Sequence, residues 1–156
     1  MIAKGKRIPE SFRSLTPYLI VKDGSKAIAF YKAAFGAREL SRLDAPDGKV
    51  GHAELMIGDS RLLLADEFPE WNARSPKTIG DSPVYILLYV EDVDAVANRA
   101  VAEGAALSQP VTDQFYGDRN CLMTDPFGHR WLIATRVEDV SPEEMKKRSA
   151  ALLGTS

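Results

Sequence analysis

The chain has 156 residues, of which 45% are hydrophobic and 27% charged, a composition typical of a folded globular domain. Its net charge of -2 offers no basic field for phosphates or anionic lipids, so we expect no nucleic acid and no membrane as partners. The single cysteine, Cys121, excludes an intrachain disulfide and a multi-cysteine zinc site. We therefore expect a cytoplasmic protein with one compact core.

The first predicted module spans residues 15–66, after a leader of residues 1–14. An apolar strand that ends in Val-Lys-Asp opens it, and apolar residues at helical spacing then predict a helix that ends at Gly36. Residues 51–57 and 61–65 are β-compatible runs separated by a glycine-containing turn. This order of elements predicts a βαβββ module.

A second module repeats the pattern over residues 83–135. Val21 and Val90 end equivalent strands, 69 residues apart, and the last apolar runs of the two modules keep the same spacing. Residues 67–82 join the modules as a long loop, whose length favours a lid or a crossover. The tail, residues 136–156, carries a Ser-Pro-Glu-Glu capping pattern that predicts a helix.

Paired βαβββ modules resemble the vicinal oxygen chelate superfamily, which contains glyoxalases, bleomycin-resistance proteins and dioxygenases. The resemblance covers nearly the whole chain, and five strings are similar to its PhnB-like branch: 15–19, 30–31, 52–55, 116–119 and 125–131. It implies an α+β fold in which two paired βαβββ modules form curved mixed sheets around a cup-shaped pocket. It also implies a homodimer.

Metal enzymes of that superfamily take one ligand from the first strand and one from the last strand of each module. The resemblance puts these positions at Thr16, Leu63, Tyr85 and Leu132. A leucine side chain has no donor atom, whereas zinc and related cations need nitrogen, oxygen or sulfur ligands. We therefore expect no cofactor at these positions and assign all four residues to substrate binding, while a divalent metal elsewhere stays open.

Strand alternation assigns further residues to the pocket, because residues i and i+2 of a strand share a face. Tyr18 shares a face with Thr16 and is assigned to substrate binding. His52 and Glu54 share a face of a later strand, and we assign them as catalytic candidates. Together they could form a general base or half of an unusual metal site. The alternative is that both lie on a solvated edge, with His52 in a structural hydrogen bond.

In the second module, Arg119 is assigned to the pocket because it follows His52 by 67 residues. Its guanidinium could clamp a carboxylate or a phosphonate, with Tyr116 stacking or donating a hydrogen bond beside it. The alternative is a salt bridge from Arg119 to a neighbouring carboxylate. Tyr85 could belong to an aromatic binding wall or pack within the sheet.

Three classes of function fit these residues. We expect a glyoxalase/bleomycin-resistance-like protein that holds a small-molecule ligand in the cup without the usual four-ligand metal site. The first alternative is a metal-dependent lyase, isomerase or dioxygenase-like enzyme that uses a displaced site around His52 and Glu54. The second is a structural or regulatory module that binds a partner through its C-terminal helix.

Overall fold

The computed structural model describes residues 4–154, and the chain divides into two compact units between Ser82 and Pro83. Each unit contains one four-stranded mixed sheet with a helix packed on one side. The predicted α+β fold with two βαβββ modules is therefore confirmed.

The first unit contains β1 (Tyr18–Val21), α1 (Gly24–Phe35), β2 (Arg38–Asp44), β3 (Val50–Ile57) and β4 (Ser60–Asp66). β1 pairs in parallel with β4, and antiparallel pairs join β4 to β3 and β3 to β2. The Asp23 side chain caps the start of α1 by accepting the Lys26 backbone N–H. Gly36 ends the helix with a φ of 68°, a left-handed conformation that glycine adopts without strain.

The segment predicted as a loop over 67–82 contains a 3₁₀ turn at Pro69–Trp71 and a short helix, α2 (Pro76–Ile79). Glu67 holds this segment together, because its carboxylate accepts the Ser75 backbone N–H at 2.8 Å and a threonine hydroxyl of α2. Desolvation opposes the charged form, but these hydrogen bonds outweigh it and lower the pKa of Glu67 to about 2.

The second unit contains β5 (Tyr85–Tyr89), α3 (Val93–Ala102), β6 (Ala106–Asp113), β7 (Asp118–Thr124), β8 (Arg130–Arg136) and α4 (Pro142–Leu152). Its strand order, β5-β8-β7-β6, repeats that of the first sheet, again with one parallel pair. α4 begins after Ser141, whose hydroxyl accepts the Glu144 backbone N–H as the capping pattern predicts. Every helix within residues 4–154 is too short or too polar to cross a membrane.

In both units a side chain at the end of the last strand is tied to the start of the helix. Asp66 accepts the Gly24 backbone N–H at 2.9 Å and the Val50 backbone N–H at 2.7 Å. Thr135 occupies the equivalent place in the second unit and accepts the Val93 backbone N–H at 2.9 Å. Both contacts satisfy a helix N–H that has no partner within the helix.

Each sheet has a helix face, which packs against α1 or α3, and an opposite side that we call the open face. Leu55 and Leu64 are fully buried on the helix face of the first sheet, and Met123 and Trp131 are buried on that of the second. Since side chains alternate along a strand, the residues between these core positions lie on the open face. The open faces carry most of the predicted site residues.

Candidate functional site

Four side chains on the open face of the first sheet form a continuous hydrogen-bonded chain. The Tyr18 hydroxyl lies 2.8 Å from Nδ1 of His52, and Nε2 of His52 lies 3.3 Å from Oε1 of Glu54. Arg61 donates to Oε2 of Glu54 at 2.6 Å. Three strands supply these residues: β1 contributes Tyr18, β3 contributes His52 and Glu54, and β4 contributes Arg61.

The chemistry of the partners fixes the protons in this chain. An ionised carboxylate only accepts hydrogen bonds, so Nε2 of His52 must carry the proton that it shares with Glu54. In the neutral imidazole Nδ1 is then an acceptor, and the Tyr18 hydroxyl donates to it. The arrangement is a hydroxyl, an imidazole and a carboxylate in series, the order of groups that activates nucleophiles in hydrolases.

Arg61 is the member of this chain that sequence reasoning missed. Its side chain is largely buried, because the guanidinium lies 4.5 Å from the centre of the Phe12 ring and also donates to the Ser11 carbonyl at 3.0 Å. The signal was present in the alternation of β4, which puts Arg61 on the same face as Leu63. The segment predicted as a leader thus supplies two contacts to the site.

Leu63 occupies the centre of this face. It is paired in register with Tyr18 on one side and with Glu54 on the other, so a hydrocarbon side chain separates the tyrosine strand from the glutamate strand. Thr16 precedes β1 and is half-buried. Burial and the charge of Glu54 both raise the pKa of Tyr18, because each disfavours a phenolate.

The open face of the second sheet is mainly apolar. Tyr85, Leu87 and Tyr89 project from β5, and each is about half exposed. Leu132 is paired in register with Leu87 and extends the apolar surface across the sheet. An exposed patch of large apolar side chains is a common mark of a binding surface.

Polar groups border this apolar surface and are tied down by hydrogen bonds. The Tyr89 hydroxyl donates to Asp118 at 2.7 Å, and Arg136 donates to the other oxygen of the same carboxylate at 2.8 Å. Asn120 donates to the Tyr116 hydroxyl at 2.7 Å. The predicted residue Tyr116 is therefore connected to the open face by its hydrogen bond with Asn120, a strand residue that sequence reasoning did not single out.

Arg119 lies on the helix face of the second sheet, so its predicted position in the pocket is wrong. Its guanidinium forms two hydrogen bonds with Asp94 of α3, at 2.8 and 2.9 Å, and a third with Asp113 at 3.1 Å. These carboxylates, Asp94 foremost, raise the pKa of Arg119. The salt bridge stated as the alternative describes the observed contacts.

The error has a simple cause in the register of the repeat. Glu54 and Leu122 pair with equivalent residues of the last strands, and they lie 68 residues apart in the sequence. The prediction used 67, and a shift of one residue moves a strand side chain to the opposite face. The residue equivalent to His52 is therefore Asn120.

Family comparison identifies the chain. Residues 13–133 match the model of the Glyoxalase/Bleomycin resistance protein/Dioxygenase superfamily. The chain belongs to this superfamily. The match begins before β1 and ends within β8, so it leaves out the last three residues of β8 and the whole of α4.

Three relatives of this glyoxalase-superfamily chain extend the comparison. An uncharacterised protein of Mycobacterium tuberculosis is 40% identical over 136 residues, which are 85% of this chain and 80% of that protein. The X-ray structure of an Arabidopsis thaliana gene product is 30% identical, with a TM-score of 0.63 over 79% of this chain and 98% of that one. TioX from Micromonospora sp. ML1 is 26% identical, with a TM-score of 0.62 over 80% of this chain and 99% of that one. The narrower resemblance to the PhnB-like branch stays a prediction.

The residues present do not fit the four-ligand metal site of the glyoxalase superfamily. The family resemblance puts Leu63 and Leu132 at two of its four positions, and the strand pairing places both side chains on the open faces. Neither side chain has an atom that can bind a cation. Within residues 4–154, His, Cys, Asp and Glu form no group of three or more that could hold a metal ion.

Proposed function

We propose that this chain is a binding protein of the glyoxalase superfamily that holds a small organic molecule without the usual four-ligand metal site. The row formed by Tyr85, Leu87 and Tyr89 carries the proposal, because three large side chains stay half exposed on one face of β5. Burial of such surface by a ligand is favourable at roughly 25 cal/mol per Å². Leu132, paired with Leu87, adds apolar surface at a position that the family resemblance assigns to a metal ligand.

A thermal-shift screen tests this binding. A panel of small aromatic compounds, neutral and charged, is added to the purified full chain, and a ligand present at 100 times its Kd adds ~2.7 kcal/mol to the stability. We expect Leu87→Ala to weaken binding of a hit about five- to tenfold, since half-burial of leucine is worth roughly 1 kcal/mol. Val101→Ala, at a similarly exposed valine of α3, is the control. A panel without a single hit, or equal effects of the two variants, contradicts the proposal.

The metal-dependent alternative is tested by elemental analysis. A displaced site would use His52 and Glu54, but Arg61 already binds the carboxylate of Glu54 and competes with a cation for it. We expect tag-free protein incubated with Mn, Fe, Co, Ni or Zn to retain no stoichiometric metal. Stoichiometric metal that is lost in His52→Ala and kept in His129→Ala, which removes the other of the two histidines, would make the enzyme the better proposal.

A further inference from the structure

We propose that Tyr18, His52 and Glu54 form a metal-independent acid–base relay, in which the Tyr18 hydroxyl exchanges a proton with a weakly acidic small molecule on the open face of the first sheet. The inference adds a chemical activity to the binding function proposed above. It rests on the 2.8 Å and 3.3 Å contacts of the two ring nitrogens and on the exposure of the tyrosine.

The relay needs a group that meets solvent at one end and a fixed charge at the other. Tyr18 is 49% exposed, so a molecule on the open face can reach its hydroxyl oxygen. Glu54 is held in place by Arg61, whose guanidinium is itself fixed by the Phe12 ring. His52 lies between them, with Nδ1 accepting from Tyr18 and Nε2 donating to Glu54.

The proton transfer balances without any further reactant. The acidic bond of the bound molecule breaks, its proton goes to the Tyr18 oxygen, and the molecule keeps the electron pair. At the same time the hydroxyl proton of Tyr18 moves to Nδ1 of His52, which becomes an imidazolium. Glu54 stabilises this cation through Nε2. Return of the proton to the same atom or to another completes an exchange or an isomerisation.

The groups around His52 favour this role. Glu54 and Tyr18 contact its two nitrogens, and Arg61 reaches it only through Glu54. β2 places Leu43 opposite His52, so the residue paired with His52 on that strand is uncharged. The ring also packs against Tyr18, with the centroids 5.5 Å apart.

The chain supplies its own matched controls for a test. Tyr18, Tyr85 and Tyr89 are 49%, 47% and 50% exposed, so reagents reach the three rings about equally. Tyr85 lies beside Arg130 and Tyr89 donates to Asp118. Among the three, the hydroxyl of Tyr18 is the one bonded to an imidazole in the described contacts.

The experiment labels the full chain with benzenesulfonyl fluoride and follows each tyrosine by peptide mass spectrometry. In the reaction an O–S bond forms, the S–F bond breaks, fluoride leaves and the phenol proton passes to His52. We expect Tyr18 to react at least ~10-fold faster than Tyr85 and Tyr89, since a positioned base contributes ~10²–10⁴-fold to such steps. Ionisation alone predicts slow labelling of Tyr18, because burial and Glu54 raise its pKa.

The pH profile of the wild-type chain gives a second measurement that needs no variant. A relay makes the labelling rate of Tyr18 level off with pH, since the base that takes the phenol proton is then fully in its neutral form, whereas a free phenol reacts about tenfold faster per pH unit up to ~10. His52→Gln should reduce the Tyr18 rate to that of Tyr85 or below, and His129→Gln should leave it unchanged.

Two results would overturn the relay: a Tyr18 rate no greater than that of Tyr85, or a rate that rises with pH without a plateau. An unchanged rate in folded His52→Gln would do the same. No ligand enters this labelling experiment, so failure of the relay is distinct from failure of the binding function, which the thermal-shift screen measures.

Discussion

Single carboxylates hold the turns of this protein in place. Asp125 is buried in the hairpin between β7 and β8 and accepts the backbone N–H groups of Phe127 and His129 at 2.9 and 3.0 Å. Its other oxygen accepts the indole N–H of Trp131 at 2.9 Å. The Asp-Pro-Phe-Gly-His string, which carried part of the family resemblance, is therefore explained by a structural role.

Asp125→Ala should destabilise the fold by ~2–4 kcal/mol. The substitution leaves buried N–H groups without an acceptor, and each such group costs roughly 1–3 kcal/mol, partly recovered by water. Urea unfolding followed by circular dichroism measures the loss. Asp59→Ala, in the exposed turn of the other hairpin, is the control and should change stability by less than ~0.5 kcal/mol. Equal losses in the two variants would contradict this reading of Asp125.

At the scale of elements, one glycine allows the segment after β8 to lie close to the turn before β7. Gly117 has a φ of 101°, and a Cβ atom added to it would lie 2.1 Å from the Glu138 carbonyl oxygen. Its own carbonyl accepts the backbone N–H groups of Val137 and Glu138. The segment after β8 therefore lies directly against the turn before β7, and only glycine fits between them.

Gly117→Ala should cost more than Gly48→Ala, although both residues have a positive φ. Gly48, with a φ of 87°, has open space around the added carbon, so its substitution costs only the backbone strain of ~1–3 kcal/mol. At Gly117 the clash with backbone adds to that strain. Thermal unfolding of both variants measures the difference. Similar melting temperatures would show that the segment after β8 moves away freely.

Residues 67–82, which join the two modules along the chain, should contribute less to the stability of the fold in acid. Glu67 has a pKa of about 2 against the usual 4.5, so its charge stabilises the fold above pH ~4.5 and this contribution is lost as the pH falls toward 2. In Glu67→Gln we expect a loss of roughly 1 kcal/mol at pH 7, a modest value because the group is partly exposed. The stability difference from wild type should disappear near pH 2, as measured by urea unfolding at several pH values. Glu70→Gln, at an exposed glutamate of the same segment, is the control, and an equal stability loss in the two variants at pH 7 would contradict the prediction.

At the scale of the whole molecule, the superfamily resemblance predicts a homodimer. Sedimentation equilibrium at micromolar concentration should give twice the mass of the chain. We base this expectation on the resemblance to the glyoxalase superfamily and not on a surface of the described residues. A monomer at every concentration up to 100 µM would contradict it.

Much of this architecture could be predicted from the sequence, because the repeat and the apolar periodicity together determine the order of elements. Alternation also predicts that His52 and Glu54 share a face, and the 3.3 Å contact between their side chains agrees with this, while their catalytic role stays a prediction. Arg119 could not be placed, because the repeat spacing is 69 at Asp23 and Asp92 but 68 at the glycines that follow the two helices. The spacing of the repeat therefore changes by one residue along the chain, and only the strand pairing shows where it changes.

The two sheets carry different side chains at equivalent register positions. Where the first sheet has Tyr18 and Glu54, the second has Leu87 and Leu122. At these positions the first sheet carries ionisable groups, whereas the second carries an apolar surface. Asn120 and Leu122 are equivalent to His52 and Glu54. To place the same ionisable pair on the second sheet, a designer would therefore introduce Asn120→His and Leu122→Glu.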